Sequence, residues 1–427
     1  MTTPPPHHQL APAARPVPVP VPVPVPAPAP GQGLGSASFD AIAVADELAR
    51  TFATTAIERD KLGGTAKAER DRLRESGLLA LSVPTSLGGH GGSWTLVMEV
   101  VRRLGRVDGS LAHLFGFHHL LLGTARLFGP EAQWAPWLRS TVERTWFWGN
   151  ALNPLDTRTT IVARGGLTHP QTHLIDGQKS FCSGASDSDR LVVSALDPDK
   201  RLVVAVIPTS RPGIHILDDW DNMGQRQTDS GQVRFEQVVV DESEILRQPG
   251  PLGSVFASLR PCIAQLVLTN VYLGLGEGAL DEGVRWTRGS GRPWVTAGVE
   301  RPSDDPYVLH HAGEFWVALA GARALADGAA RQLDDAWARG DALTTAERAA
   351  TALAIGTAKV AATRAGLAVA NGIFEITGAR ATAARAGLDR FWRNLRTHTL
   401  HDPVDYRLRE LGRWVLTGEL PHPSFYS

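Results

Sequence analysis

The fold turns on 219-DWDNMGQRQTDSGQVRFEQVVV-240. Its second half, VRFEQVVV, alternates and then runs apolar with β-branched residues, which reads as a strand. The first half has another character. Trp220 stands between two acids, a Met-Gly turn follows, and then come Gln225, Arg226, Gln227, Thr228, Asp229 and Ser230. Six consecutive hydrogen-bonding side chains before a core strand must find partners, because burying a polar group without one is costly. They read as ties that hold a loop at a junction between lobes. Trp220 on that loop suits a wall against an aromatic ring.

Outward from this stretch, residues 146–246 keep a period of two, with turn signals every eight to twelve residues. HLIDGQKSF (173–181) carries an Asp176-Gly177 hairpin signal. RLVVSALDPDKRLVVAVIP (190–208) reads as two apolar strands joined by a Pro-Asp turn. This predicts a small antiparallel β domain. Residues 37–145 read as a helical domain, with Ile42, Ala45, Leu48, Ala49 and Phe52 at helical spacing. A glycine loop, SLGGHGGSW, interrupts it. Helical spacing then resumes through Val97, Val101 and Leu104 and through Leu111, Leu114, Phe117 and Leu121. Residues 247–427 read as a helical bundle domain with long alanine-rich segments at 263–286, 306–338 and 345–377. Thr344 and Glu347 form a capping box before the last of these. The class is α+β, mainly α. Residues 1–36 stand apart: proline occupies every second position from Pro16 to Pro30, the pattern of an extended polyproline or disordered tail.

The 43 Lys and Arg nearly balance the 44 Asp and Glu. That leaves no electrostatic footprint for nucleic acid or an anionic membrane. No run of about 20 apolar residues suggests a membrane span, and the N-terminus lacks the pattern of a secretory signal. Two cysteines, Cys182 and Cys262, exclude a disulfide framework and suit a reducing, cytoplasmic compartment. No G-x-G-x-x-G follows a strand, and neither a phosphate loop nor zinc-ligand spacing is present.

Helices, a β domain and a long bundle, in that order, resemble the acyl-CoA dehydrogenase fold. The motifs ESGLLALSVPTSLGGHGG, DGQKSFCSGASDSDRLVVSA, MGQRQTDSGQVRFEQVVV and FEITGARATAARAGLDRFWRNLR carry the likeness. Within that fold GNALNPLDTRT, FCSGASDSDRL, DWDNMGQRQTDSG and RTHTLHDPVDYR resemble the flavin-dependent dibenzothiophene monooxygenases, a sulfur-oxidising branch. The resemblance implies reduced FMN supplied by a separate NADH-dependent flavin reductase, with O2 as co-substrate. It also implies a homotetramer. The implied reaction takes the sulfur of an aromatic thioether such as dibenzothiophene to sulfoxide and sulfone through a flavin C4a-hydroperoxide. Such a site needs hydrogen-bond donors at the flavin edge and an apolar pocket that excludes water.

The candidate residues follow, each with a plainer structural role beside it. His113 and Phe117 lie four apart in AHLFGFHHLL and share a helix face. By the resemblance His113 is catalytic and Phe117 lines the substrate pocket; otherwise His113 is a capped helix histidine. His118 and His119 read as structural. Asn150 can donate and accept at once, at the flavin edge or in a strand-entry turn. Ser183 corresponds to the family's hydroxyl beside the flavin, while Cys182, on the opposite face if the segment is a strand, reads as packing. Trp220 is a candidate for both flavin and substrate. Arg292 and Arg380 suit a phosphate, which guanidinium meets bidentately, or are surface charges. His398 and His401 lie three apart and would share a helix face, both reaching the flavin's oxygen side; no third ligand is evident for a metal. Asp402 falls where many acyl-CoA dehydrogenases carry their catalytic glutamate, but it is one methylene shorter and precedes Pro403. It reads as a partner that orients or charges a neighbouring histidine, or as a helix-end residue before proline.

Three other functions remain open from sequence. One is a same-fold flavin monooxygenase acting on another sulfur or amine substrate. Another is an acyl-CoA dehydrogenase using FAD and a carboxylate base. The third is a flavin-binding or proline-rich scaffold.

Overall fold

The computed structural model describes residues 39–164 and 172–426; the proline-rich tail at 1–36 lies outside the described residues. Asp40 accepts hydrogen bonds from the N–H groups of Ile42 and Ala43 and so starts α1 (Ala41–Ala53), which buries Ala41, Ala45, Leu48 and Phe52. Helices α2 (Ala56–Leu62) and α3 (Lys67–Glu75) follow, then the folded glycine loop. Ser93 caps α4 (Trp94–Gly105) and Asp108 caps α5 (Gly109–Phe128). Every residue of α5 except Arg126 is buried. It is the central helix, packed against α4 on one side. Helix α6 (Glu131–Arg144) leads to the sheet.

The strands are β1 (Trp148–Ala151), β2 (Thr160–Ala163), β3 (Thr172–Lys179), β4 (Arg190–Leu196), β5 (Leu202–Pro208), β6 (Ile214–Ile216), β7 (Val233–Asp241) and β8 (Ile245–Leu246). Their order is β6-β7-β3-β2-β4-β5-β8, with β1 on β4. The DPDK turn joins β4 to β5 as the sequence predicts, Leu196 facing Leu202. Two expectations need correction. The sheet is mixed, because β1 runs parallel to β4. A period of two reports which face is buried but not the direction of a neighbour. And Asp176-Gly177 is no hairpin turn. It lies inside β3, opposite an irregularity where β7 spends Glu236 and Gln237 against Asp176, whose carboxylate accepts from the Gln237 N–H at 2.8 Å. Gly177, at φ +116°, is required there because a side chain would collide with the Arg158 carbonyl.

Helices α7 (Leu259–Ser290), α8 (Pro306–Arg339) and α9 (Thr345–Thr377) form the bundle. The predicted capping box opens α9. Small buried residues (Ala322, Ala326 and Ala329 on α8, Ala358, Ala362 and Ala365 on α9) let the helices approach closely. By length and composition α7 and α9 are apolar enough to cross a membrane, but their apolar windows are 94% and 61% buried within the protein, as in core helices. Helix α10 (Asp389–His398) and α11 (Val404–Thr417) complete the described chain, and α10 and α11 both pack on α9.

Candidate active site

A cavity of about 960 Å3 opens where α5, β1, the turn after β3, the β6–β7 loop, α7 and the end of α10 converge. It gathers His113, Phe117, Asn150, Ser183, Trp220, His398 and His401. Arg292 and Arg380 do not line it. Arg380 instead donates to the Ser290 carbonyl, two residues before Arg292. The cavity of a single chain therefore lends the phosphate reading of these two arginines no support.

The polar run that opened the sequence holds the junction together. The Gln225 N–H donates to Asn394 Oδ1 on α10. Gln227 Oε1 accepts from Arg59 at 2.8 Å, and Asp229 accepts from Thr65 at 2.8 Å. Arg59 is itself paired with Asp108 and Glu69, so one loop joins α2, the N-cap of α5 and α10. Gly224 lets the loop press on α10: a side chain there would strike the Arg393 backbone. Trp220 donates to the Gln225 carbonyl at 2.8 Å, which fixes the indole edge-on to Phe181 at 6.1 Å. Both rings face the cavity.

The inner face of the same loop forms a hydroxyl relay. Thr228 donates to the Gln225 carbonyl at 2.9 Å, and Ser230 donates to Thr228 at 2.7 Å. Ser183 Oγ lies 2.7 Å from Ser230 Oγ. Because the Ser230 proton is committed to Thr228, Ser183 donates to Ser230 and keeps its lone pairs for the cavity. Ser183 sits in a turn after β3, not in a strand; Cys182 beside it is buried in the sheet core. Asn150 accepts from the Leu152 N–H at 3.1 Å, which leaves its NH2 group as a donor.

Four histidines are buried at this end of the molecule, and they divide cleanly. His118 accepts from the Trp148 N–H and donates to the Leu79 carbonyl; His119 bonds Leu78 O and Ser82. These two are structural, as the sequence suggested. His113 stacks on Phe117 at 4.0 Å and meets His398 edge-on at 4.8 Å. None of the four ring nitrogens of His113 and His398 has a hydrogen-bond partner. Burial, then the neighbouring His401, lowers the His113 pKa to about 3; burial, then His113, lowers that of His398 well below the ordinary value. Both imidazoles are neutral, each with one N–H and one lone pair left unpartnered beside the cavity.

His398 and His401 both line the cavity but not as one helix face. Helix α10 ends at His398, after which Leu400 and His401 turn back through their N–H groups to the carbonyls of Thr397 and His398. His401 lies beyond and bonds Asp402 at 3.0 Å through Nδ1. Asp402 also pairs with Lys359 at 2.5 Å. Lys359, only 1% exposed, bonds Gln265 as well, and burial lowers its pKa to about 8 despite the carboxylate. Burial alone would raise the Asp402 pKa, but the His401 hydrogen bond and the Lys359 charge outweigh it and hold the carboxylate below the usual range. Sequence reading missed Lys359, Gln265, Phe181 and Arg260 at this site. A lone lysine in the alanine-rich GTAKVAA was the available signal for Lys359.

Acyl-CoA dehydrogenase N-terminal, middle and C-terminal domain models match residues 41–145, 153–238 and 266–406. A probable FMNH2-dependent monooxygenase, SfnC of Pseudomonas putida, is 56% identical over 91% of this chain and 97% of its own. This chain belongs to the FMNH2-dependent monooxygenases of the acyl-CoA dehydrogenase fold. Among solved members, methanesulfinate monooxygenase MsuC from Pseudomonas fluorescens shares 55% identity at a TM-score of 0.88, covering 90% of this chain and 99% of that one. FMN-bound TdsC, a dibenzothiophene monooxygenase from Paenibacillus sp. A11-2, shares 42% at 0.86, covering 91% and 100%. This FMNH2-dependent monooxygenase thus takes FMN as its flavin and O2 as co-substrate. Its site fits the flavin: the orphaned imidazole nitrogens, the Asn150 NH2 group and the Ser183 lone pairs are the polar groups that a flavin edge and an oxygen atom would satisfy.

Proposed function

We propose that the chain is the oxygenase of a two-component system, receiving reduced FMN from a separate NADH-dependent reductase and oxygenating sulfur. The observation that carries this is the pair of neutral, unpartnered imidazoles, His113 and His398, over the cavity. They provide donors but no base strong enough to take a proton from carbon. Asp402, the carboxylate bonded to His401 beside them, is committed to Lys359 as well. That weighs against acyl-CoA dehydrogenation, which needs a free carboxylate. Reduced FMN, when bound, activates O2 and supplies the oxygen atom. Ser183 would accept from the flavin N5–H, Asn150 would donate to the flavin edge, and His113 and His401 would donate to the oxygen being transferred. Phe117, Phe181 and Trp220 form apolar walls that keep water out and suit an aromatic thioether such as dibenzothiophene. We further propose that the exposed apolar side chains of α8, Tyr307, Leu309, Trp316 and Val317, enter subunit contacts of a homotetramer.

Product analysis tests the reading. With reductase, NADH, FMN and dibenzothiophene, sulfoxide and sulfone should accumulate. Enoyl-CoA formation with an artificial acceptor, in place of sulfur oxidation, would overturn it. A second reading, a small organosulfur acid of the kind MsuC is named for, is favoured by one buried cation in the cavity.

A further inference from the structure

Arg260, near the N-terminus of α7, lines the cavity and is 6% exposed. Among the described residues its side chain makes no ion pair and no hydrogen bond, and its Nε is buried without a partner. Burial lowers its pKa to about 10, so the guanidinium stays charged at neutral pH. Removing an unpaired cation from water costs several kcal/mol, a cost that a structure tolerates where an anion is to be bound. The carboxylates bordering the cavity do not serve it. Asp156 is bonded to Arg158 and Ser180, Asp221 is exposed, and Asp402 behind the wall is paired with Lys359.

We propose that Arg260 is the substrate-selecting residue, pairing with the oxyanion of an organosulfinate so that its sulfur faces the imidazoles. The proposal rests on the sulfur-oxygenase reading above. The alternative anion is the flavin's own phosphate, and position argues against it. Ala264 and Gln265 extend the lining from Arg260 along α7. Gln265 bonds both Lys359 and the Tyr426 carbonyl, and the Tyr426 ring lies 6.1 Å from His401. Arg260 is itself electrostatically coupled to Tyr426 and so lies at the histidine end. A phosphate is held away from the reacting ring by a five-carbon ribityl chain, whereas a sulfinate carries its charge on the reacting sulfur. The reaction balances as R–SO2− + O2 + FMNH2 → R–SO3− + FMN + H2O. A sulfur–oxygen bond forms, the O–O bond breaks, and sulfur and flavin each lose two electrons to the two oxygen atoms.

The test uses the full chain with reductase, NADH and FMN, and compares benzenesulfinate with thioanisole, its neutral counterpart. Arg260→Met should lower the ratio of kcat/KM for benzenesulfinate over thioanisole roughly a hundredfold, since charge-assisted pairs are the strong ones. Calorimetric binding of the product benzenesulfonate should be lost, and Arg260→Lys should restore part of both. Anaerobic titrations with reduced FMN and reduced riboflavin should show no preferential loss of FMN. Loss of FMN affinity with riboflavin unchanged would assign Arg260 to the phosphate and overturn the proposal. An unchanged ratio, or a wild type that oxygenates thioanisole but not the sulfinate, would overturn it too and leave sulfur oxygenation standing. A wild type that consumes O2 and oxygenates neither would remove the underlying reading as well.

Discussion

His113 and His398 stand 4.8 Å apart with all four ring nitrogens unpartnered. Removing a donor from such a site should hurt oxygen transfer more than flavin binding. His113→Ala should raise the barrier by about 3–4 kcal/mol, as loss of an oxyanion donor does. Sulfur product per O2 consumed should fall and hydrogen peroxide should rise. A variant whose coupling ratio matches wild type would contradict the donor role. Asp402 allows a sharper test. Asp402→Asn strips Lys359 of its only counter-charge within 4 Å among the described residues, which for a buried pair costs about 3–5 kcal/mol. The variant should lose that much stability in urea titrations and about tenfold in oxygenation, about 1.4 kcal/mol. Adding Lys359→Met should restore stability but not rate. A single variant as stable as wild type would show that the pair is not coupled. His113, Phe117, Asn150, Ser183, Trp220, His398 and His401 could be found from local motifs because each lies in a distinctive short stretch. Arg260 could not, since nothing local marks a charge near the start of a long helix as buried and facing a cavity; Lys359 offered only its isolation among alanines, which says nothing of its distant partner Asp402.

The β6–β7 loop is the element on which the site depends, and its hold on α10 is steric as well as polar. A β-carbon at position 224 would occupy the space of the Arg393 carbonyl, which is backbone and cannot rotate away. Gly224→Ala should therefore lift the loop from α10 and break the Gln225–Asn394 bond. Trp220 moves with it, so reduced-FMN affinity should fall at least tenfold while most secondary structure survives. Circular dichroism beside an anaerobic titration would check this; wild-type affinity would mean that the loop adjusts. The density of hydrogen-bonding side chains announced this loop in the sequence. The β3–β7 irregularity was hidden, because Asp-Gly is equally at home in a tight turn and in a strand whose partner carries an extra residue. Only the pairing of two distant segments separates those outcomes.

Across the whole molecule, four buried neutral histidines couple folding to pH. His113 and His118 have pKa values lowered to about 3 and about 4, and those of His119 and His398 are lowered well below the ordinary value, burial being the main cause in each. The unfolded chain takes up these protons near pH 6.5, whereas the folded chain refuses them until far lower. Their contribution is complete above pH 6.5 and is lost as pH falls through the folded values. Each histidine can contribute a slope of about 1.4 kcal/mol per pH unit below the unfolded pKa. Urea titrations at pH 7, 6 and 5 should show stability falling with proton uptake approaching four. His118→Gln should reduce that uptake by about one. A flat profile over this range would refute the linkage. The order of the three lobes could be read from the change of period along the chain, but the parallel β1–β4 pairing and the meeting of lobes at one cavity arise only when distant segments pack.

The cavity walls also bear on how such an enzyme can change over generations. Phe117 comes from α5, Phe181 from the turn after β3 and Trp220 from the β6–β7 loop. Phe181 and Trp220 meet edge-on at 6.1 Å, so substitutions at those two would couple, as those of residues in contact do. Phe117, in van der Waals contact with His113, is bound to the chemistry, whereas Phe181 is 59% exposed and is free to vary. Substrate preference can therefore drift first at Phe181, leaving the imidazole pair and the hydroxyl relay in place.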